Sequence, residues 1–330
     1  MKRSLVGILA AVALVGTIGL TGTAASAATT LKSSGSSFAN GLMQACKTNV
    51  GGVDLTYTST GSGTGRSQFV AKTTSFGMTD GVFTPGTQPA NFVYVPLLGG
   101  PVAIVLNVPG VKTLNLTGDV LGKLYTGKIT KWNDKQIAAL NKGVKLPALA
   151  VQPVYRSGSS GTSENFTNYL AQMAGSGWKI NGTFASANTV VGTSAATSTV
   201  LVTTVKSTAG AFGYADLSDV AASGLKYASI QNGAKQFIKP DVRSAKAFLA
   251  VQRVGSNGTL SYDYKAPVRG AYPVSLISYA IAFKNGNKDV QNYLKAFVNT
   301  CAPTEAAKLS YVAIDGKLKA KALDLIDLIG

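Results

Sequence analysis

Apolar and polar positions along the chain follow two different periods. Short apolar runs, rich in β-branched and aromatic residues, read as strands at Val53–Ser59, Ser75–Thr79, Phe92–Val95 and Val102–Leu106. Further on, helical spacing predicts helices over Val120–Tyr125, Lys135–Leu140 and Ser163–Met173, with a strand at Val151–Tyr155 between the last two. A buried strand is expected over Val274–Phe283, then helices near Val290–Asn299 and Pro303–Tyr311 and an amphipathic tail. Alternation of this kind predicts α/β layers around a largely parallel sheet. The stretch Ala174–Ser198 is rich in Gly, Ser, Thr, Ala and Asn, and reads as surface loop with weak strand content and no assignable function.

The first residues change the picture. Lys2 and Arg3 precede an apolar run from Leu5 to Leu20, and Ala25-Ser26-Ala27 follows. This is the pattern of a secretory signal peptide cleaved after Ala27. A membrane helix is the rival reading, but the run is short for a span of about 20 residues and no stop-transfer charges follow it. With no cysteine near the cleavage site, no thiol is offered for a lipoprotein-type anchor, so a secreted protein of the periplasm or cell wall is expected. The remaining chain of roughly 300 residues exceeds the size at which one core stops growing, which favours two lobes.

Export also places Cys46 and Cys301 where oxidation is permitted. A bridge between them is the natural pairing, and two buried free thiols are the alternative, since separation in sequence says nothing about distance in space. If they are bridged, both ends of the chain share a lobe. Lobe I then comprises residues 28–104 plus 276–330, and lobe II residues 105–275. The crossovers fall near Val102–Asn107 and Val274–Ala282, as candidate hinges flanking a ligand cleft.

Lys and Arg number 31 against 14 acids, a formal charge of +17. Such an excess draws in anions and anionic surfaces. The lysines are spread along the chain rather than gathered into a basic stripe, which argues against nucleic acid as partner. Acidic cell-wall polymers fit better, with a merely solvated basic surface as the plain reading. The chain has no histidine, so a Ser-His-Asp triad and a histidine metal site are both excluded. Two cysteines make no thiolate cluster, and no cofactor is expected. Gly61–Arg66 lacks the Gly-Lys-Ser/Thr ending of a nucleotide loop and breaks the G-x-G-x-x-G spacing at Arg66. Among enzymes, only a Ser-Lys hydrolase stays formally open.

Three stretches lead from small or hydroxyl residues straight into a helix: Gly35–Phe38, Gly61–Arg66 and Arg156–Ser163. Each would expose unpaired backbone N–H groups at the positive end of a helix dipole, beside Ser or Thr hydroxyls, as an oxyanion cradle requires. Any one alone reads equally as an ordinary N-cap and turn. The third is the most specific, because Arg156 precedes the Ser160-Gly161-Thr162 helix start and can bring a charged fork to the same anion. A surface ion pair is the alternative use of that arginine. Asp80 ends a strand, and a carboxylate should repel an anion. It becomes useful if the ligand carries a proton, which an ionised carboxylate can accept; a fully ionised sulfate would leave it unpaired. Capping, or pairing with a lysine, is its other reading.

The order of these motifs carries a resemblance. Gly35-Ser-Ser-Phe38, Gly61-Ser-Gly-Thr-Gly65, Phe76-Gly-Met-Thr-Asp80, Tyr125–Asn133 and Tyr155–Ser163 together resemble the phosphate-binding proteins of the bacterial Pst importer, and the related secreted DING-type proteins. The similarity is firm from Ser33 to Phe166, with weaker echoes at Ala211–Tyr214 and Tyr272–Ser275. It implies a type 2 periplasmic-binding-protein-like fold of two α/β lobes, no enzymatic activity, inorganic phosphate as ligand and a membrane ABC permease as partner. It further implies a ligand set of Ser37 and Phe38, Ser62, Asp80, Arg156, Ser160, Gly161 and Thr162. In one place the chain departs from the pattern: the family commonly has an acid two residues after the arginine, where this chain has Gly158. A less constrained arginine is expected from that change. A secreted adhesion protein, or a binder of sulfate, molybdate or tungstate, are the competing readings.

Overall fold

The computed structural model describes residues 29–175 and 177–330; the expected signal peptide lies outside them. The chain opens with β1 (Thr29–Gly35), α1 (Asn40–Ala45), β2 (Val53–Ser59), α2 (Ser62–Val70) and β3 (Phe76–Thr79). Then come β4 (Phe92–Leu106), α3 (Gly118–Tyr125), α4 (Lys135–Leu140), β5 (Gln152–Arg156), α5 (Gly161–Met173) and β6 (Thr193–Ala195). The order continues with α6 (Ser198–Ser207), β7 (Ala211–Asp216), α7 (Leu217–Ser223), α8 (Val242–Leu249), β8 (Ser275–Phe283), α9 (Lys288–Ala296) and α10 (Gly316–Asp327).

These strands join in one sheet in the order β2-β1-β3-β8-β4-β7-β5-β6. It is parallel at both flanks, where β1 pairs with β2 and β3, and β5 with β6 and β7. The expectation of a largely parallel sheet is corrected at its centre: β8 runs antiparallel to β3 and β4, and β4 antiparallel to β7. The reason lies in the path of the chain, since β4 carries it from one flank to the other and β8 lies against it in the opposite sense.

Sequence periodicity broke β4 into two strands, because Pro96, Gly99, Gly100 and Pro101 interrupt it. It is one strand of 15 residues, buried from Val93 onward. Each proline falls where its missing N–H does least harm. Pro96 sits at a bulge, where the register against β8 shifts between Ser278 and Tyr279. Pro101 pairs with Ser275 at the start of β8, and from Val102 onward β4 takes β7 as its partner. The prolines thus mark the handover between the two flanks.

Packing follows the same division. A small cluster of Val105, Val154, Leu201, Val205, Ala211 and Val220 fills the space under α6 and α7. The main core holds most other buried apolar side chains, including an aromatic group of Tyr125, Phe166, Phe184 and Tyr214 beneath the start of α5. Helix α8 packs on β4 and β8, and Lys246 pairs with Asp315. Cys46 and Cys301 form a disulfide with Cα atoms 6.0 Å apart, which fastens the end of α1 to the turn after α9. The free-thiol reading is therefore set aside.

Candidate functional site

β1 and β3 run in one sense and β5 in the opposite one, so their C-terminal ends point towards each other, and their outgoing turns meet there. After β1, the chain turns through Ser36, Ser37 and Phe38. The Ser36 hydroxyl accepts from the Ala39 amide at 3.1 Å and donates to Asp80 Oδ1. Phe38 is fully buried, its ring edge-on to Tyr311 and its carbonyl accepting from the Tyr311 hydroxyl at 2.7 Å. After β2, Ser62 opens α2; its hydroxyl accepts from the Asp80 amide at 3.1 Å and lies 3.3 Å from Asp80 Oδ2. Both oxygens of this carboxylate are thus supplied by hydroxyls from separate turns.

After β5, Ser160 caps α5, its hydroxyl accepting from the Ser163 amide at 3.2 Å. The Ser160 amide itself donates to the Gly182 carbonyl at 3.0 Å, so its hydroxyl hydrogen, not its backbone, is what it can offer a ligand. Gly161 fills the gap against β3: a Cβ there would stand 2.6 Å from Ser62 Oγ and 2.7 Å from Asp80 Cβ. Only a residue without a side chain lets the two helix starts approach so closely. Thr162 is buried and its hydroxyl has no partner among the described residues. An unpaired buried hydroxyl costs about 1–3 kcal/mol, which a ligand oxygen would recover.

Arg156 ends β5 and is 2% exposed. Its Nη1 donates to Ser37 Oγ at 2.8 Å, while Nε and Nη2 both donate to the Ala196 carbonyl at 3.1 and 2.8 Å. The Ser198 hydroxyl lies 3.4 Å from the same Nη1, and the Tyr214 hydroxyl accepts from the Arg156 amide at 3.2 Å. The loosely held arginine expected from Gly158 is corrected: the guanidinium is fixed, though by a backbone carbonyl and hydroxyls. Among the described residues no carboxylate forms an ion pair with it.

Burial governs the electrostatics. Desolvation lowers Arg156 from its ordinary value, with Tyr214, Asp80, Asp216 and Asp219 acting in the opposite sense. Desolvation likewise raises Asp80, which is 3% exposed, against the hydroxyl bonds and the Arg156 charge that favour its ionised form. A buried cation and a buried acid thus feel each other's charge, with hydroxyls of Ser36 and Ser62 on the acid and that of Ser37 on the cation. The group can accept one proton and donate several, as a protonated oxyanion needs.

Of the eight residues expected from sequence, direct contacts join Ser37 to Arg156, Ser62 to Asp80, and Gly161 to both Ser62 and Asp80; Phe38, Ser160 and Thr162 adjoin them in the chain, with the Phe38 ring turned to Tyr311. Sequence reading missed Ser36, which holds Asp80, and the Ala196–Ser198 segment, which holds Arg156. The latter sits at the end of the stretch taken as loop, where Ser198 begins α6, a helix rich in Val and Thr whose β-branched residues weaken its helical signature. A usable signal existed, in that Thr197 precedes Leu201, Val202 and Val205 at helical spacing and does cap the helix, accepting from the Val200 amide at 3.2 Å.

A family model described as a PBP superfamily domain matches residues 21–300. Phosphate-binding protein PstS 3 of Mycobacterium leprae (strain TN) is 34% identical over 298 residues, covering 82% of this chain and 78% of that protein. Phosphate-binding protein PstS of Pasteurella multocida (strain Pm70) is 32% identical over 248 residues, 72% of this chain and 70% of its own length. Among solved structures, the periplasmic phosphate-binding protein PfluDING, bound with phosphate, superposes with a TM-score of 0.72 at 18% identity, covering 88% of this chain and 92% of that one. A putative phosphate ABC transporter substrate-binding protein from Clostridium perfringens gives a TM-score of 0.66 at 18% identity, covering 87% and 100%. At such identities the structural likeness shows a shared fold. The sequence relatives go further: the chain belongs to the PBP superfamily and, within it, to the PstS-type phosphate-binding proteins.

Proposed function

We propose that this chain binds inorganic phosphate outside the cytoplasm and delivers it to a membrane ABC-type phosphate importer, without chemistry on the ligand. The observation that carries this reading is the placing of Asp80 opposite Arg156 among buried hydroxyls. Near neutral pH phosphate still holds a proton for Asp80 to accept, whereas sulfate, molybdate and tungstate do not. Ser37 and Phe38, Ser62, Asp80, Arg156, Ser160, Gly161 and Thr162 form the ligand set in this reading, with Ser36 and Ser198 orienting the acid and the arginine.

The lobes in this proposal are residues 28–104 plus 276–330 and residues 105–275, with α8 of the second seated on β4 and β8. They close on the ligand and reopen at the permease. Export with cleavage after Ala27, and retention by acidic wall polymers through the excess of lysine, complete the reading. No helix among the described residues is long and apolar enough to cross a membrane.

Titration calorimetry with phosphate, arsenate and sulfate on the wild type and on Asp80→Asn tests it. Phosphate and arsenate bind the wild type and sulfate does not, while Asp80→Asn loses phosphate affinity and gains tolerance of sulfate. Failure of the wild type to bind phosphate, with salt-sensitive binding to acidic wall polymer, would favour an adhesion protein instead.

A further inference from the structure

Arg66 is the residue that spoiled the nucleotide-loop pattern, and the phosphate cradle makes no use of it. It lies on α2, one turn beyond Ser62, and its Nη1 donates to Thr79 Oγ1 at 2.9 Å. Thr79 in turn donates to the Gly81 carbonyl at 2.7 Å, so Arg66 and the turn after β3 are tied together. Facing them is Glu164, in the first turn of α5. Its Oε1 accepts from the Val82 amide at 3.2 Å and its Oε2 stands 3.9 Å from Arg66 Nη1. The two side chains are 13% and 20% exposed, so the charges meet largely out of water.

The approach is tight. A Cβ on Gly81 would come within 2.2 Å of Glu164 Oε2, so only glycine admits the carboxylate at that point. An acid in the first turn of α5 would favour that helix's dipole wherever it pointed. This one reaches across to a backbone amide and a cation carried by residues 66–82, beside a cleft lined by Gly63, Arg66, Phe83 and Ser159. Its bonds to the first lobe run through none of the cradle residues.

We infer that Glu164, with Arg66 and the Val82 amide, forms a latch at the mouth of the cleft that holds the two lobes shut and sets how long the bound anion stays. The inference rests on the two-lobed, phosphate-binding reading given above. Opening the lobes breaks this charge-assisted hydrogen bond and separates this shielded ion pair, along with the bonds from Arg156 to Ser37, from Asn165 to the Asp80 carbonyl and from the Gly63 amide to the Ser159 carbonyl; the Glu164 contacts stand apart from the cradle residues. The latch therefore acts on release more than on capture.

Two measurements on the exported chain test it, with Glu164→Ala, Glu164→Gln and Gly81→Ala beside the wild type. In stopped-flow, phosphate dissociates about tenfold faster from Glu164→Ala, and association stays within about twofold. Glu164→Gln keeps an oxygen for the Val82 amide and falls between, while Gly81→Ala wedges the contact and resembles Glu164→Ala. Small-angle scattering of the ligand-free proteins reads the lobes directly: Glu164→Ala and Gly81→Ala give a larger radius of gyration than the wild type. Unchanged dissociation and unchanged scattering in both variants overturn the latch. If none of the four proteins binds phosphate, the ligand reading falls, and the scattering alone still decides whether the latch exists.

Discussion

Arg156 Nη1 donates to Ser37 Oγ across 2.8 Å, joining residues 119 positions apart in the chain. This bond links the turn after β1 to the end of β5, on opposite flanks of the sheet. It explains how a site assembled from distant motifs has a defined geometry. The arginine is aimed by three hydrogen bonds to two fixed acceptors, one to the Ser37 hydroxyl and two to the Ala196 carbonyl.

Arg156→Lys is therefore not a conservative change. A lysine keeps the charge but presents a single ammonium on a flexible stem, and cannot serve Ser37, the Ala196 carbonyl and a ligand from one plane. Each lost bond to a charged group is worth about 1.5–3 kcal/mol, so phosphate affinity falls by roughly tenfold to a hundredfold. Calorimetry on Arg156→Lys measures this, and a melting temperature close to the wild type would show that the loss is local. Affinity equal to the wild type would mean that the site needs only a positive charge.

Much of this site was legible because the family's motifs are short, local and rich in residues with few structural alternatives. Gly161 and Ser62 stand at helix starts that the sequence marks plainly, and Asp80 closes a readable strand. What escaped was long-range. Nothing near Ser36 announces that its hydroxyl would meet Asp80, 44 residues later. The carbonyl of Ala196 has no sequence signature at all, since any residue supplies one. Direction within the sheet was lost for a similar reason: apolar runs predict strands, but β4 and β8 pair antiparallel through contacts about 180 residues apart, which periodicity does not encode. The prolines of β4 misled because a proline is read as a break, while the bulge that accommodates Pro96 depends on its partner strand.

The disulfide between Cys46 and Cys301 closes 255 residues of chain and ties the segment after α1 to the segment after α9. Cross-links over long loops remove much entropy from the unfolded chain, and losing a native one costs typically about 2–5 kcal/mol. Reduction, or a Cys46→Ser and Cys301→Ser double substitution, lowers the urea midpoint by a corresponding amount. Phosphate affinity near its original value is expected, because neither sulfur touches the cradle. Denaturant titration and calorimetry on the same samples separate the two effects; an unchanged midpoint would show that the bridge adds nothing to stability.

Asp216 supplies the test of how burial couples to pH. It ends β7, caps α7 by accepting from the Asp219 amide at 3.3 Å, and keeps its other oxygen buried with no partner among the described residues. Burial, with the neighbouring Asp219 second, pushes it up to about 8 from an ordinary 3.8. The folded protein thus holds a proton that the unfolded chain releases at ordinary carboxylate pH. Because the folded state binds the extra proton, this group's contribution to stability is greatest below about pH 4 and declines as pH rises towards about 8, levelling off above. Asn at this position keeps a side-chain oxygen to cap α7 and cannot titrate. Asp216→Asn should therefore melt higher than the wild type at mildly alkaline pH, with the difference shrinking as the solution is acidified. Calorimetric melting of both proteins between about pH 5 and about pH 9 checks this, since every other titrating group is common to the two. A difference that does not vary with pH would mean that Asp216 is already ionised in the fold, its charge offset by that of Arg156.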